Sequence, residues 1–162
     1  MSATELFKRG VAKSERGDYQ GAVADYTMAI KLKPDLAEAY HNRGTAKGNL
    51  EDIQGAIADF TKAIRLKPDY AEAYCTMGLA KGKLGDYQGA IADYTKAIGQ
   101  KPDYAEAHYG RGFTKYVLED DQGAIADLTK AIGQKPDYAE AYYSRGLVKD
   151  GLKDYQGAIA DY

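Results

Sequence analysis

The sequence predicts an all-α fold, a solenoid of paired helices, and three observations carry that prediction. The four prolines, Pro34, Pro68, Pro102 and Pro136, stand 34 residues apart. The same period runs through Ala22, Ala56, Ala90, Ala124 and Ala158, and through Asp25, Asp59, Asp93, Asp127 and Asp161. A fixed period of roughly 20–50 residues marks stacked units, because no single unit can bury its apolar face alone. Within each period the apolar residues recur at helical spacing, and no segment alternates as a strand does.

Counted from Ala3, the chain is a single array over residues 3–162, with units 3–36, 37–70, 71–104, 105–138 and a truncated 139–162. Each unit is expected to hold two helices, about ten in all. Around Pro68 the first helix is expected to run from about Tyr70 to Leu84. Asp69 is placed as its N-cap, with Glu72 three residues on completing a capping box. Asp35/Glu38, Asp103/Glu106, Asp137/Glu140 and Ser2/Glu5 repeat the spacing. Gly85 then suits a left-handed turn, and Asp86 suits the cap of the second helix. Tyr87, Ala90, Ile91, Tyr94, Ala97 and Ile98 form one apolar stripe at i, i+3, i+4, i+7, i+10 and i+11. Gly99 and Pro102 are expected to end it.

This unit resembles the tetratricopeptide repeat. The resemblance is carried by Gly44, Ala56, Ala63 and Pro68 in one unit and by Gly78, Ala90, Ala97 and Pro102 in the next, and it covers residues 3–162. It implies a right-handed α-solenoid in which Gly10, Gly44, Gly78, Gly112 and Gly146 let helices approach closely. The chain departs from the family pattern in two places. The large apolar residue usual before that glycine is Arg9, Arg43, Arg111 and Arg145, with Met77 the exception, and a lysine follows three residues after it in every unit. Recurring cations beside a recurring second-helix aspartate suggest a ladder of structural ion pairs, Arg43 with Asp59 and Arg111 with Asp127. An anion-binding strip is the functional alternative.

The resemblance also implies a concave surface lined by the first helices, of a kind that binds extended or helical peptides. The matching places are Phe7, Lys8, Val11, Ser14 and Glu15 in the first unit. Next come His41, Asn42, Thr45, Gly48 and Asn49, then Cys75, Thr76, Leu79, Gly82 and Lys83. The fourth unit supplies Tyr109, Gly110, Phe113, Tyr116 and Val117, and the fifth Tyr143, Ser144, Leu147, Asp150 and Gly151. These places vary between units while the rest of the repeat does not. Aromatic residues concentrate in the last two units, where they suit binding anchors. The expected peptide-binding residues are therefore His41, Asn42, Thr45, Tyr109, Phe113, Tyr116, Tyr143 and Leu147. Packing against neighbouring helices, or against another copy of the chain, is the structural alternative. The lysine, asparagine and arginine set with which some members of the family hold a terminal carboxylate is not matched: Asn42 alone fits, and Glu72 would repel the ligand.

No catalytic, cofactor-binding or metal-binding residues are expected, and the reading is of a non-enzymatic scaffold. His41 and His108 lie in units two apart, and His108 takes the place that tyrosine holds at Tyr40, Tyr74 and Tyr142, which favours a packed role. Gly78 to Lys83 has the wrong spacing for a phosphate loop, and Cys75 has no adjacent base. With 22 basic against 24 acidic residues the net charge is −2, which lacks the basic footprint of a nucleic-acid partner. One cysteine, no secretory leader and no long apolar run point to a cytoplasmic protein without a membrane partner. The last unit stops at Tyr162 inside its second helix, so the chain is expected either to be part of a longer protein or to stack end to end with another copy. Asp121 stands where other units place Tyr19, Ile53, Tyr87 and Tyr155, a weak spot if buried.

Overall fold

The computed structural model describes residues 1–162 and contains ten helices and no strand. They are α1 (Ala3–Glu15), α2 (Tyr19–Leu32), α3 (Ala37–Asn49), α4 (Ile53–Leu66), α5 (Ala71–Lys83), α6 (Tyr87–Gln100), α7 (Ala105–Val117), α8 (Asp121–Gln134), α9 (Ala139–Gly151) and α10 (Tyr155–Asp161). Each odd helix pairs with the even helix after it, and each even helix packs on the next odd one. Odd helices also touch each other in series, whereas even helices never meet. The odd helices therefore line the inner curve and the even helices the outer one.

The cap of the first helices differs from the expectation. Only the Ser2–Glu5 pair forms a capping box. In the other units Leu36, Tyr70, Tyr104 and Tyr138 hold the N-cap place, and no side chain caps the helix. The reason is a turn: the backbone N–H of Tyr70 donates to the Lys67 carbonyl at 3.2 Å, and Leu36, Tyr104 and Tyr138 repeat the bond. Proline's fixed φ suits the second place of such a turn, which carries Asp69 one step too early to cap. Gly99 and Gly133 likewise do not end their helices, which run on to Gln100 and Gln134.

The second helices are capped as expected. Asp18, Asp52, Asp86, Asp120 and Asp154 each accept from the N–H of a glycine three residues on, at 2.9–3.0 Å. The turn before them is left-handed at Gly17 and Gly85, both at φ +80, and also at Glu51, Glu119 and Lys153.

Alanines at near-zero exposure let the hairpins nest, and one large residue per hairpin fills the core: Tyr26, Phe60, Tyr94 and Leu128 are all buried. The close approach is enforced by glycine. A Cβ on Gly44 would fall 2.7 Å from the Phe60 ring and 3.1 Å from the Ala56 carbonyl. Beside each such glycine runs the ion-pair ladder. Arg43 donates through Nε and one terminal nitrogen to both oxygens of Asp59, at 2.9 and 2.6 Å, and Lys47 closes on it at 2.8 Å. Arg111 does the same to Asp127, and Arg145 to Asp161. The remaining guanidinium nitrogen reaches back one unit, Arg43 to Thr27, Arg111 to Thr95 and Arg145 to Thr129, at 3.0–3.1 Å. At Met77 the ladder lapses, and Asp93 has Lys81 alone, at 2.7 Å.

Candidate functional site

The inner curve is not uniform. Between α5 and α7 it opens into a cavity of about 620 Å³. One wall is the inner face of α5, with Cys75, Thr76, Leu79, Gly82 and Lys83. The facing wall is α7, with Tyr109, Gly110, Phe113 and Val117. Tyr87 and Tyr94 of α6 form the floor, and the N-cap tyrosines Tyr104 and Tyr138 stand at the end where α5 and α7 begin. Phe113 is 44% and Leu79 54% exposed, so apolar surface stays open to solvent beside the buried Tyr94.

The rings pack on one another. Tyr109 lies 5.0 Å from Tyr138 and 6.3 Å from Phe113, centroid to centroid. Lys101 and Lys135 cover Tyr104 and Tyr138 at 4.8 and 4.5 Å, on the cation–aromatic pattern that Lys67 makes with Tyr70. Burial raises the phenols of Tyr94, Tyr104 and Tyr138 and lifts the Cys75 thiol to about 11. At neutral pH the thiol is protonated, so Cys75 serves as wall and not as nucleophile. The only charged lining residues are Lys83 and Glu106, exposed at opposite ends. Such a surface suits an apolar segment whose charges lie at its ends.

The expected binding residues divide among several places. Tyr109 and Phe113 line the cavity. Thr45 lines a neighbouring hollow of about 120 Å³ beside Phe60 and Leu79. Tyr143 and Leu147 border a separate open depression with Tyr162, whose ring is 5.9 Å from that of Tyr143. Tyr116 is half-buried against the core around Leu128 and Val148. His41 lies with its ring 5.0 Å from Tyr70 and 5.8 Å from Phe60, and its Nδ1 is 3.1 Å from the Asn42 amide oxygen. Burial lowers its pKa, so the ring is neutral at pH 7. His108 is buried, with Nε2 3.1 Å from the Pro102 carbonyl and Nδ1 3.5 Å from Asp127. Asp121 begins α8 half-exposed, at the positive end of the helix, so the burial cost weighed for it does not arise in full.

Several wall residues were outside the expected set: Tyr94 on an outer helix, and Tyr104 and Tyr138 at the N-caps. A sequence signal exists for them, since a tyrosine recurs at 70, 104 and 138, just before each first helix. No helix is long and apolar enough to cross a membrane.

Comparison with known proteins agrees with this architecture. A family model described as TPR repeat matches residues 10–51, 46–85 and 82–119, and one described as tetratricopeptide repeat matches 115–162. No curated protein sequence matches the chain. Among solved structures, a MamA structure is 29% identical over 94% of this chain and 89% of its own, with a TM-score of 0.84. MamA from Desulfovibrio magneticus RS-1 is 21% identical, covers 98% of this chain and 90% of its own, and has a TM-score of 0.87. YrrB, described as a TPR protein with an unusual peptide-binding site, is 21% identical over 99% of this chain and 82% of its own, at a TM-score of 0.78. The last two likenesses establish the fold alone. With repeat matches running from residue 10 to residue 162 over an all-helical solenoid, the chain belongs to the tetratricopeptide repeat family, and its fold is the right-handed α-solenoid of that family.

Proposed function

We propose that this chain is a non-catalytic interaction scaffold, one array with units 3–36, 37–70, 71–104, 105–138 and 139–162, that binds a peptide segment of another protein on its inner curve. The observation that supports this reading is the cavity between α5 and α7. It has about 620 Å³ of room, an aromatic floor, and exposed apolar rims at Leu79 and Phe113. Open apolar surface in a concavity is retained against its solvation cost where a partner covers it. YrrB, with its described peptide-binding site, shares the fold and makes the same use of it reasonable here.

A phage-displayed random peptide library selected on immobilised protein tests the reading. Enriched peptides are expected to bind the wild type and to lose binding to Phe113→Asp, whose side chain is exposed and whose helix content is expected to be unchanged by circular dichroism. Absence of enrichment, or equal binding to both proteins, would remove it. A second reading, association of copies, is favoured by Tyr155, Ile159 and Tyr162 of the last hairpin, exposed at 57%, 70% and 63%. The same face of α2 is covered by the first and third helices, around Tyr19, Val23 and Tyr26. Sedimentation velocity over a concentration series separates the two: Ile159→Asp should abolish association without touching peptide binding.

A further inference from the structure

The two charges of the cavity between α5 and α7 are not used within the chain. Glu106 stands in the first turn of α7 and Lys83 ends α5, and both are exposed. Glu106 has no cation in salt-bridge reach and Lys83 no anion, whereas the equivalent Glu38 is held by Lys67 at 3.8 Å. The lysines nearest the Glu106 end are engaged elsewhere, since Lys101 and Lys135 lie over the rings of Tyr104 and Tyr138. Burial is the first cause that raises the Tyr138 phenol and the Glu106 carboxylate the next, so the field at this end is negative. Every lining residue between the two ends is uncharged. The groove therefore offers one unanswered negative charge, an apolar interior and one unanswered positive charge, in that order along its length.

We infer that the cavity takes an extended peptide segment with a basic and an acidic side chain six residues apart, the basic one at Glu106, the acidic one at Lys83 and two apolar side chains between. This rests on the peptide-binding reading above. The spacing follows from the helix. Val117 is the counterpart of Lys83 on α7 and lines the cavity with it, and Glu106 stands eleven residues earlier. At about 1.5 Å per residue the two charges lie about 16 Å apart along the groove. An extended chain advances about 3.3 Å per residue and turns every second side chain to one face. Charges that share a face with the anchors are therefore four or six residues apart. Six admits two apolar anchors, and a cavity of about 620 Å³, on the scale that takes a whole small ligand, is more than one side chain fills. Six residues span about 20 Å, an overshoot of about 2 Å at each end that lysine and glutamate side chains absorb. A helical segment is too wide to enter: α5 and α7 come within 8 Å of each other, Cα to Cα, and a helix with its side chains is about 10–12 Å across.

The probes are three capped heptapeptides: acetyl-Lys-Ser-Phe-Ser-Leu-Ser-Glu-amide, the same peptide with lysine at both ends, and the same with glutamate at both ends. Each is titrated by NMR at low salt against the whole chain, Glu106→Gln and Lys83→Gln. Both side chains are exposed and unpaired, so the two variants are expected to keep the wild-type circular dichroism. On the wild type the mixed peptide should shift amides of α5 and α7 and bind about fivefold more tightly than either like-charged peptide, since each of those replaces one attraction by a repulsion. Glu106→Gln should bring the di-glutamate peptide within about twofold of the mixed one and leave the di-lysine peptide weak. Lys83→Gln should do the converse. In about 1 M salt, where the screening length falls to about 3 Å, the three should bind the wild type alike. No shift on α5 and α7 with the mixed peptide, equal affinity of the three at low salt, or penalties that neither variant moves would each overturn the inference. If library peptides bind through Phe113 while the heptapeptides bind alike or not at all, the charge register falls and the peptide reading stands.

Discussion

Asp25 carries the structure's clearest charge effect. The Arg9 guanidinium and the Lys13 ammonium hold its carboxyl at about 2, below the ordinary 3.8. A carboxyl whose folded value is depressed contributes stability that is complete above its unfolded value and lost as the pH falls through the folded one. Burial opposes ionisation at Asp127 and Asp161, yet hydrogen bonds from Arg111 with Lys115, and from Arg145 with Lys149, lower both. Urea unfolding at a series of pH values should therefore show stability falling from about pH 4 to about pH 2, with a shallower fall in Asp25→Asn. The lapse at Met77 gives a second prediction. Lys81→Ala strips Asp93 of its one cation and should cost about 2 kcal/mol, whereas Lys115→Ala leaves Asp127 its arginine and should cost about half that. Thermal unfolding of the two variants side by side checks it.

Helices and their pairing were almost fully legible in the sequence. The 34-residue period fixed their number, and the apolar stripe fixed their buried faces; the Arg–Asp pairs followed from two charges recurring together. The caps of the first helices were not legible, because Asp69 and its equivalents have the composition of an N-cap but stand inside a proline turn, and only backbone geometry decides between the two. Glycines divide in the same way. Gly112 stands where a Cβ would lie 3.1 Å from both the Asp127 Cβ and the Leu128 Cγ, while Gly99, also helical, has open space around it. Gly112→Ala should destabilise by about 1–3 kcal/mol, since overpacking at a helix contact cannot relax without separating α7 from α8. Gly99→Ala should stabilise by about 0.5–1 kcal/mol by removing backbone freedom from the unfolded chain. Denaturation midpoints of both variants give the two signs in one experiment.

The whole molecule is a row of hairpins in which each touches only its neighbours, so stability is a sum over hairpins and seams. This explains why the candidate site was only half legible. Tyr109 and Phe113 were visible as unusual aromatics on one helix, but the cavity they border is closed by Tyr94 from an outer helix and by N-cap tyrosines from two turns. The seams themselves are unequal. Arg43, Arg111 and Arg145 each stitch their hairpin to a threonine in the hairpin before, but at Met77 no such stitch exists. Pulled from its two ends in an optical trap, the array should part first at the junction of α4 with α5, and Met77→Arg should raise the force of that first rupture. The cavity between α5 and α7 thus stands beside the one seam that lacks an arginine bond to the hairpin before, which makes the curvature of this spring the quantity that a partner held there would stiffen.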